Sequence, residues 1–291
     1  MLDYVSTFSR AFDQLVRRML QDSIVLHPEH WQSTKVGHLP EAQMHELIHV
    51  TFQTLLPTRD LDHYRRDIEP NLPWADDHFE QERVSRHPIN PGETWKRWPW
   101  GHSADKFRTA GEQFSHSYAE RYWPKHANQT TGGFLDEQER PAHRGVRFAY
   151  GDLQDVVELL QRDPLTRQAY LPVWFPEDTG VVHGERVPCT LGYHWMMRNG
   201  QLHTYYAIRS CDILRHMRDD WYLTVRLTLW LLDQLGWEDV RPGLFTFWAG
   251  SLHCFVNDLR FLASRPSRGT DTASPVCAAP GSKSGKSVRG T

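Results

Sequence analysis

The apolar positions fall into alternating helical and strand periods. Over residues 4–20, Phe8, Phe12, Leu15, Val16 and Leu20 recur at helical spacing, which predicts an amphipathic helix. A second helix is expected over 41–55. The stretch 57–110 is dense in Pro, Trp, His and charge and predicts short helices and loops that build a cleft. Residues 152–162 predict a helix with Asp152 as N-cap and Val156, Val157, Leu159 and Leu160 on its apolar face, stopping at Asp163-Pro164. Strands are expected at 168–174, 190–197 and 202–210. The last two flank Asn199-Gly200, a hairpin signal. The run 219–235 is apolar on most faces and predicts a buried helix. Residues 244–248 predict a final strand and 252–263 a final helix. From Arg265 onward the chain is Ser, Gly, Pro, Thr, Ala, Lys and Arg without apolar period, so 1–264 reads as one large domain and 265–291 as a disordered tail. The fold class is α+β, a mixed sheet packed on buried helices.

Composition narrows the function. A net charge of −3 over 291 residues gives no basic field for nucleic acid. The 4 cysteines form no C-x-x-C pair and are too sparse for a disulfide framework. Met1-Leu2-Asp3-Tyr4 shows neither the basic n-region nor the apolar h-region of a signal peptide, and the apolar run Trp221 to Trp237 carries Arg226 and Asp233. The expectation is a cytoplasmic protein with no membrane partner. The 12 Trp, 13 Phe and 10 Tyr suit either a large core or a cleft that stacks flat ligands.

Several segments carry candidate chemistry, each with a plainer reading beside it. His45-Glu46-Leu47-Ile48-His49 has the H-E-x-x-H form of a zinc hydrolase, but a chain with 17 His matches so short a motif by chance. Cys189 follows Pro188 at a strand start, where a thiol is either a small buried hydrophobe or a nucleophile at the lip of a sheet. Arg209 on the partner strand places a cation near it. Arg209-Ser210 can hold a phosphate through a guanidinium fork and a hydroxyl, or form an ordinary surface ion pair. Asp219-Asp220 at a helix start also suits the helix dipole. His253 lies in a Gly-Ser-Leu-His turn and is either a capping, core or ligand-facing residue.

Taken in order, these segments change the picture. Arg162-Asp163-Pro164-Leu165-Thr166-Arg167, Pro188-Cys189, Arg209-Ser210-Cys211-Asp212 and Gly250-Ser251-Leu252-His253-Cys254-Phe255-Val256-Asn257 resemble the thymidylate synthase family in order and spacing. Upstream, His45-Glu46-Leu47 is similar to that family's helix bearing an essential glutamate, and Pro73-Trp74-Ala75-Asp76 to its Trp-Ala-Asp stretch. The resemblance covers about 4–264. It implies a homodimer with shared sites and 5,10-methylenetetrahydrofolate as cofactor. Cys189 would add to C6 of a pyrimidine nucleotide, Glu46 would organise water and protons, and Arg209 and Ser210 would bind the 5′-phosphate. Arg167 would reach the phosphate of the other subunit's site. His253 would meet the sugar, and Asp212 and Trp74 the folate.

Departures from the family pattern bear on the substrate. The family's base-reading asparagine, eleven residues after the phosphate arginine, is Asp220 here. A carboxyl suits the N3 and N4 edge of cytosine, as in the family's deoxycytidylate hydroxymethylases. A folate-packing tryptophan corresponds to Asn71, which favours water over hydride as the final nucleophile. Phe255 stands for a sugar-binding tyrosine, leaving CMP and dCMP both as candidates. Gln168 replaces a second arginine, Thr190 a histidine after the nucleophile, and the early Arg-Thr-Gly phosphate loop is not recognisable around Glu29-His30-Trp31-Gln32. The expectation is hydroxymethylation of CMP or dCMP. The alternatives are a dCMP methylase, an atypical thymidylate synthase acting on dUMP, a zinc hydrolase, and a non-catalytic nucleotide-binding relative.

Overall fold

A computed structural model describes residues 3–31, 34–101, 108, 113–127, 151–179 and 186–265. The expected tail lies outside the described residues, except for Arg265. After a short strand β1 (Asp3–Tyr4) comes helix α1 (Phe8–Gln21), which buries Phe8, Ala11, Phe12, Leu15 and Met19. Thr7 caps it by accepting a hydrogen bond from the Arg10 amide at 3.2 Å. Short strands β2 (Ile24–Leu26), β3 (His30–Trp31) and β4 (Thr34–Lys35) precede the long strand β5 (Met44–Leu55).

β5 corrects the helix expected over 41–55. Between Val50 and Leu55 the buried Val50, Phe52 and Thr54 alternate with Thr51, Gln53 and Leu55, which is a strand period rich in β-branched residues. Leu47 and Val50, three apart, are both buried. The alternation shifts between them at His49, whose φ of 49° is left-handed.

Then follow α2 (Leu61–Ile68), α3 (Trp74–His78), a π turn (Phe79–Arg83), a 3-10 turn (Thr94–Arg97) and α4 (Tyr118–Tyr122). Those from α2 to the 3-10 turn match the short helices and loops expected of 57–110, of which residues 102–107 and 109–110 lie outside the described ones. α5 (Leu153–Arg162) begins at Asp152, whose carboxylate accepts the amides of Gln154 and Asp155. Strand β6 (Tyr170–Pro172) is followed by the hairpin of β7 (Thr190–Arg198) and β8 (Gln201–Asp212). The hairpin turns on Asn199 (φ 52°) and Gly200 (φ 69°), a turn whose twist matches its strands. α6 (Met217–Gln234) crosses over to β9 (Arg241–Phe255), and α7 (Leu259–Ala263) follows. The helix expected over 252–263 is thus strand as far as Phe255, because Leu252 and Cys254 continue the pairing with β5.

Among the described residues the main sheet runs β1-β5-β9-β8-β7-β6, with β2 also on β5. β8 and β9 are parallel, joined by the α6 crossover, while β5–β9, β7–β8 and β6–β7 are antiparallel. One register row, Leu171, Tyr193, Tyr206, Phe247 and Phe52, crosses the sheet and is buried throughout. Tyr193 and Tyr206 stack at 5.1 Å, and Trp221 of α6 packs edge-on to Phe52 and Phe247. Ring pairs of this kind add about 1 kcal/mol each beyond burial. The row Tyr170, His194, Tyr205, Thr246 and Gln53 lies on the other face, with Tyr170 and Tyr205 exposed. Helices therefore cover one face of these central strands, and the other carries exposed aromatic surface. No helix among the described residues is long and apolar enough to cross a membrane.

Candidate active site

A cavity of about 250 Å³ opens where β7, β8 and β9 meet the start of α6. The parallel pairing of β8 with β9 sets its floor, with Asp212 in register with His253 and Ser210 with Ser251. Asp212 Oδ1 accepts the amides of Leu214 and Arg215, both at 2.9 Å, and so turns the chain from β8 toward α6. The first turn of α6 then delivers Asp219 and Asp220 to the cavity. Trp74 and His78 come from α3, Trp95 and Trp98 from around the 3-10 turn, and Tyr118 from the start of α4.

Cys189 lies half-buried on the cavity wall, one residue before β7. Its carbonyl accepts the Arg209 amide at 2.8 Å. The Arg209 guanidinium folds back onto the same segment, donating from Nε to the Pro188 carbonyl at 2.9 Å and from Nη2 to the Val187 carbonyl at 3.2 Å. Nη2 stands 3.9 Å from the Cys189 Sγ. The Thr190 amide donates to the Tyr118 hydroxyl at 3.3 Å, which sets that phenol beside the thiol. Burial pushes Tyr118 up to about 12, with the Cys189 and Asp220 charges adding to it.

The carboxyls of the cavity are all displaced upward. Burial pushes Asp220 up to about 7, against the Arg83 charge, and Asp219 next to it adds to the shift. The Cys211 thiol donates to Asp220 Oδ2 at 3.9 Å. Burial also raises Asp219, whose oxygens accept from the Asn71 amide at 2.8 Å, the Asn71 side chain at 2.7 Å and the Trp98 indole at 3.2 Å. Asp212 is pushed up to about 6 by burial. Its Oδ2 is buried without a hydrogen-bond partner among the described residues, and Arg215 Nε stands 3.7 Å away. The histidines move the other way, His253 down to about 4 and His216 to about 3, both by burial. His253 Nδ1 is likewise buried and unpartnered among the described residues.

The structure brings Cys189, Ser210, Asp212, Asp220, His253 and Trp74 to this one cavity. It does not bring the others. Glu46 lies on strand β5 rather than on a helix, takes a short hydrogen bond from Ser251, and is not on the cavity wall. Its neighbours in the H-E-x-x-H pattern diverge, His45 bonding Ser23 at 2.9 Å and His49 packing against Trp248. A strand does not align i and i+4 as a helix does, so the geometry for a shared zinc is lost. Asn71 is engaged with Asp219 and is not on the cavity wall. Arg167 is exposed in a surface groove beside Arg162 and Gln168. Arg209 stands beside the Cys189 thiol, while its guanidinium is committed to backbone carbonyls.

Sequence reasoning passed over Tyr118, Arg83, His78, Trp95, Trp98 and His216, all of which line the cavity. Two signals were available. Ser117 and Glu120 form a capping box that fixes the helix start carrying Tyr118, and the tryptophans cluster at Trp95, Trp98 and Trp100.

The thymidylate synthase family model matches residues 80–280. A curated thymidylate synthase of Rhodopseudomonas palustris (strain BisA53) is 27% identical over 111 residues, 38% of this chain and 36% of that protein. A curated relative from Methanosarcina barkeri (strain Fusaro / DSM 804) is 30% identical over 104 residues, 35% of this chain and 45% of that protein. The matched segments thus span between a third and a half of the curated relatives' own length. Among solved structures, thermostable thymidylate synthase A from Bacillus subtilis superposes with a TM-score of 0.61 at 14% identity, over 89% of this chain and 85% of that one, which is a likeness of fold. With a mixed sheet packed on helices, and a family match over more than half its length, the chain belongs to the thymidylate synthase family.

Proposed function

We propose that this chain transfers a one-carbon unit to C5 of a pyrimidine nucleotide, with CMP or dCMP as substrate and a hydroxymethyl group as product. The observation that carries this reading is that Cys189 and Asp220 line the same cavity. One is a thiol suited to attack C6. The other is a carboxyl suited to the N3 and N4 edge of cytosine.

The residues present fit 5,10-methylenetetrahydrofolate. Its pterin is flat and carries amide and amino donors. Asp212 Oδ2 is a buried acceptor without a hydrogen-bond partner among the described residues, and Trp95 and Trp98 offer aromatic faces. These residues would hold it, and Trp74 would support them by bonding the Thr94 carbonyl at 2.9 Å. When bound, the folate supplies carbon at the oxidation level of formaldehyde.

The chain's own residues do the rest. Cys189 Sγ adds to C6, and the displaced electron pair moves toward N3. Asp220 in its neutral form donates to N3 while its other oxygen accepts from the N4 amino group. As negative charge builds at N3 the proton passes across, and C5 becomes nucleophilic. One proton must be shared between the carboxyl and N3, so nucleotide binding weakens as pH rises through about 7, where Asp220 titrates. His253 faces the sugar and Ser210 the phosphate, with Arg209 behind it. The exposed row of Tyr170 and Tyr205 suits pairing of two copies, with Arg167 of one copy reaching the other's phosphate.

The test is direct. Protein is incubated with methylenetetrahydrofolate and each of CMP, dCMP and dUMP, and the nucleotides are weighed by mass spectrometry. A gain of CH2O on a cytosine nucleotide is expected. Turnover of dUMP alone rejects the role given to Asp220, and a methylated cytosine nucleotide rejects the hydroxymethyl product only.

A further inference from the structure

The cavity wall that holds Cys189 and Asp220 also holds a charged side chain that the nucleophile and base roles leave unused. Arg83 is 5% exposed, yet no carboxylate among the described residues touches it. Its Nε donates to His78 Nε2 at 2.9 Å and its Nη1 to the Tyr122 hydroxyl at 2.9 Å. The guanidinium lies 4.2 Å above the ring of Tyr118. Because His78 Nε2 accepts, the imidazole proton sits on Nδ1, which faces Glu82 at 3.0 Å and Thr94 Oγ1 at 2.9 Å. Glu82 is fixed in turn by the Thr94 amide at 2.7 Å, and Trp74 stacks on the imidazole at 4.9 Å. The guanidinium is thus locked by a Glu–His pair. Its Nη2 makes no hydrogen bond among the described residues, and Arg83 lines the cavity with Tyr118 and Asp220.

This placement has a chemical consequence, which rests on the substrate reading above. Cys189 marks C6 of the ring, and Asp220 marks N3 and N4. Tyr118 adjoins Cys189 through Thr190, and the charge of Arg83 acts on both Tyr118 and Asp220. The atoms that separate C6 from N3 on that side are C5 and C4. A guanidinium has donors only, and the N4 amino group of cytosine also presents donors there, so the two cannot bond directly. A group that accepts from both bridges them, and water, with two lone pairs, is the smallest.

We propose that Arg83, fixed by His78 and Glu82, holds a water at the C4–C5 edge of the pyrimidine, and that this water both exchanges protons with C5 and adds to the exocyclic methylene of the substrate adduct. In the addition, the water oxygen bonds to the methylene carbon, the methylene π pair shifts to form C4=C5, and the C4=N3 pair passes onto N3, where Asp220 supplies a proton. N3 then returns that proton and its pair, C4=N3 and C5=C6 re-form as the C6–S bond breaks, and Cys189 leaves as thiolate and takes up the proton that the water gave up. The sum is water plus adduct giving hydroxymethyl nucleotide plus free thiol. Arg83 contacts the reacting water, and His78 and Glu82 are positioning residues.

Two measurements test this on the full chain. In D2O without folate, wild-type protein exchanges the C5 hydrogen of CMP or dCMP, and Arg83→Gln lowers the exchange rate about a hundredfold with nucleotide affinity kept. Arg83→Lys restores part of it, and Glu82→Gln lowers it less. With folate and added 2-mercaptoethanol, Arg83→Gln diverts product from hydroxymethyl to the C5 thioether, because the thiol no longer competes with a placed water. A variant that melts like wild type but leaves both exchange and product ratio unchanged overturns the role of Arg83 alone. Wild-type protein that neither exchanges C5 nor adds carbon overturns the proposed function and this role with it.

Discussion

Asp220 concentrates the substrate question in one side chain. Replacing it with asparagine gives an amide that reads uracil's N3–H and O4 with fixed polarity, so Asp220→Asn is expected to lose cytosine nucleotide turnover by about a hundredfold and to gain dUMP binding. The alkaline fall in affinity through about pH 7 should vanish in the same variant, which a titration calorimeter reads. Cys189→Ser should abolish C5 exchange while leaving nucleotide affinity within a few-fold. At this scale the sequence was legible wherever spacing alone identified a position, as with Cys189, Ser210, Asp212, Asp220 and His253, all on the cavity wall. It misled about the element that carries Glu46, where a short His-Glu-Leu match predicted a helix and the structure has the strand β5. It was silent at Arg83, because a buried arginine that bonds a histidine and a tyrosine leaves no spacing pattern.

The elements were legible in proportion to how local their causes are. Asn199-Gly200 and the Asp152 cap act within a few residues, and both appear as expected. Gly200 stands at φ 69°, so Gly200→Ala should destabilise the protein by about 1 kcal/mol, seen as a lower urea midpoint with an unchanged slope. The strand β5 was missed because its start carries helix-compatible residues. Its identity comes from β9, which pairs with it from Met44 to Leu55 and lies some 200 residues away. Ser117 shows the reverse. Its capping box positions Tyr118, so Ser117→Ala should cost about 1 kcal/mol and also slow C5 exchange.

For the molecule as a whole, the cavity's titratable groups set a pH window. Asp220 and Asp212 have folded values raised to about 7 and about 6, so their contribution is fully present below about pH 4 and is lost as pH rises through those values. His216 and His253 have folded values lowered to about 3 and about 4, so theirs is present above about pH 6.5 and is lost as pH falls through those values. Between about pH 4 and 6 the two pairs oppose each other, so the melting temperature of the ligand-free protein should change little there and fall as pH drops below that interval. Removing one member unbalances them: Asp220→Asn should make the melting temperature rise with pH across that interval, and His253→Gln should make it fall. A curve unchanged in His253→Gln would reject the assignment.

Asp212, the last residue of β8, is in direct register with His253 near the end of β9, yet the chain between them runs the length of α6. A small molecule that touches both works as a clasp on that crossover. It closes a long loop from the outside, and the segments it spans then open less often. Amides of α6 and of the β8–β9 seam should accordingly trade their hydrogens for deuterium more slowly once nucleotide is added, whereas those of α5, which packs on β6 at the edge of the sheet, should keep their pace.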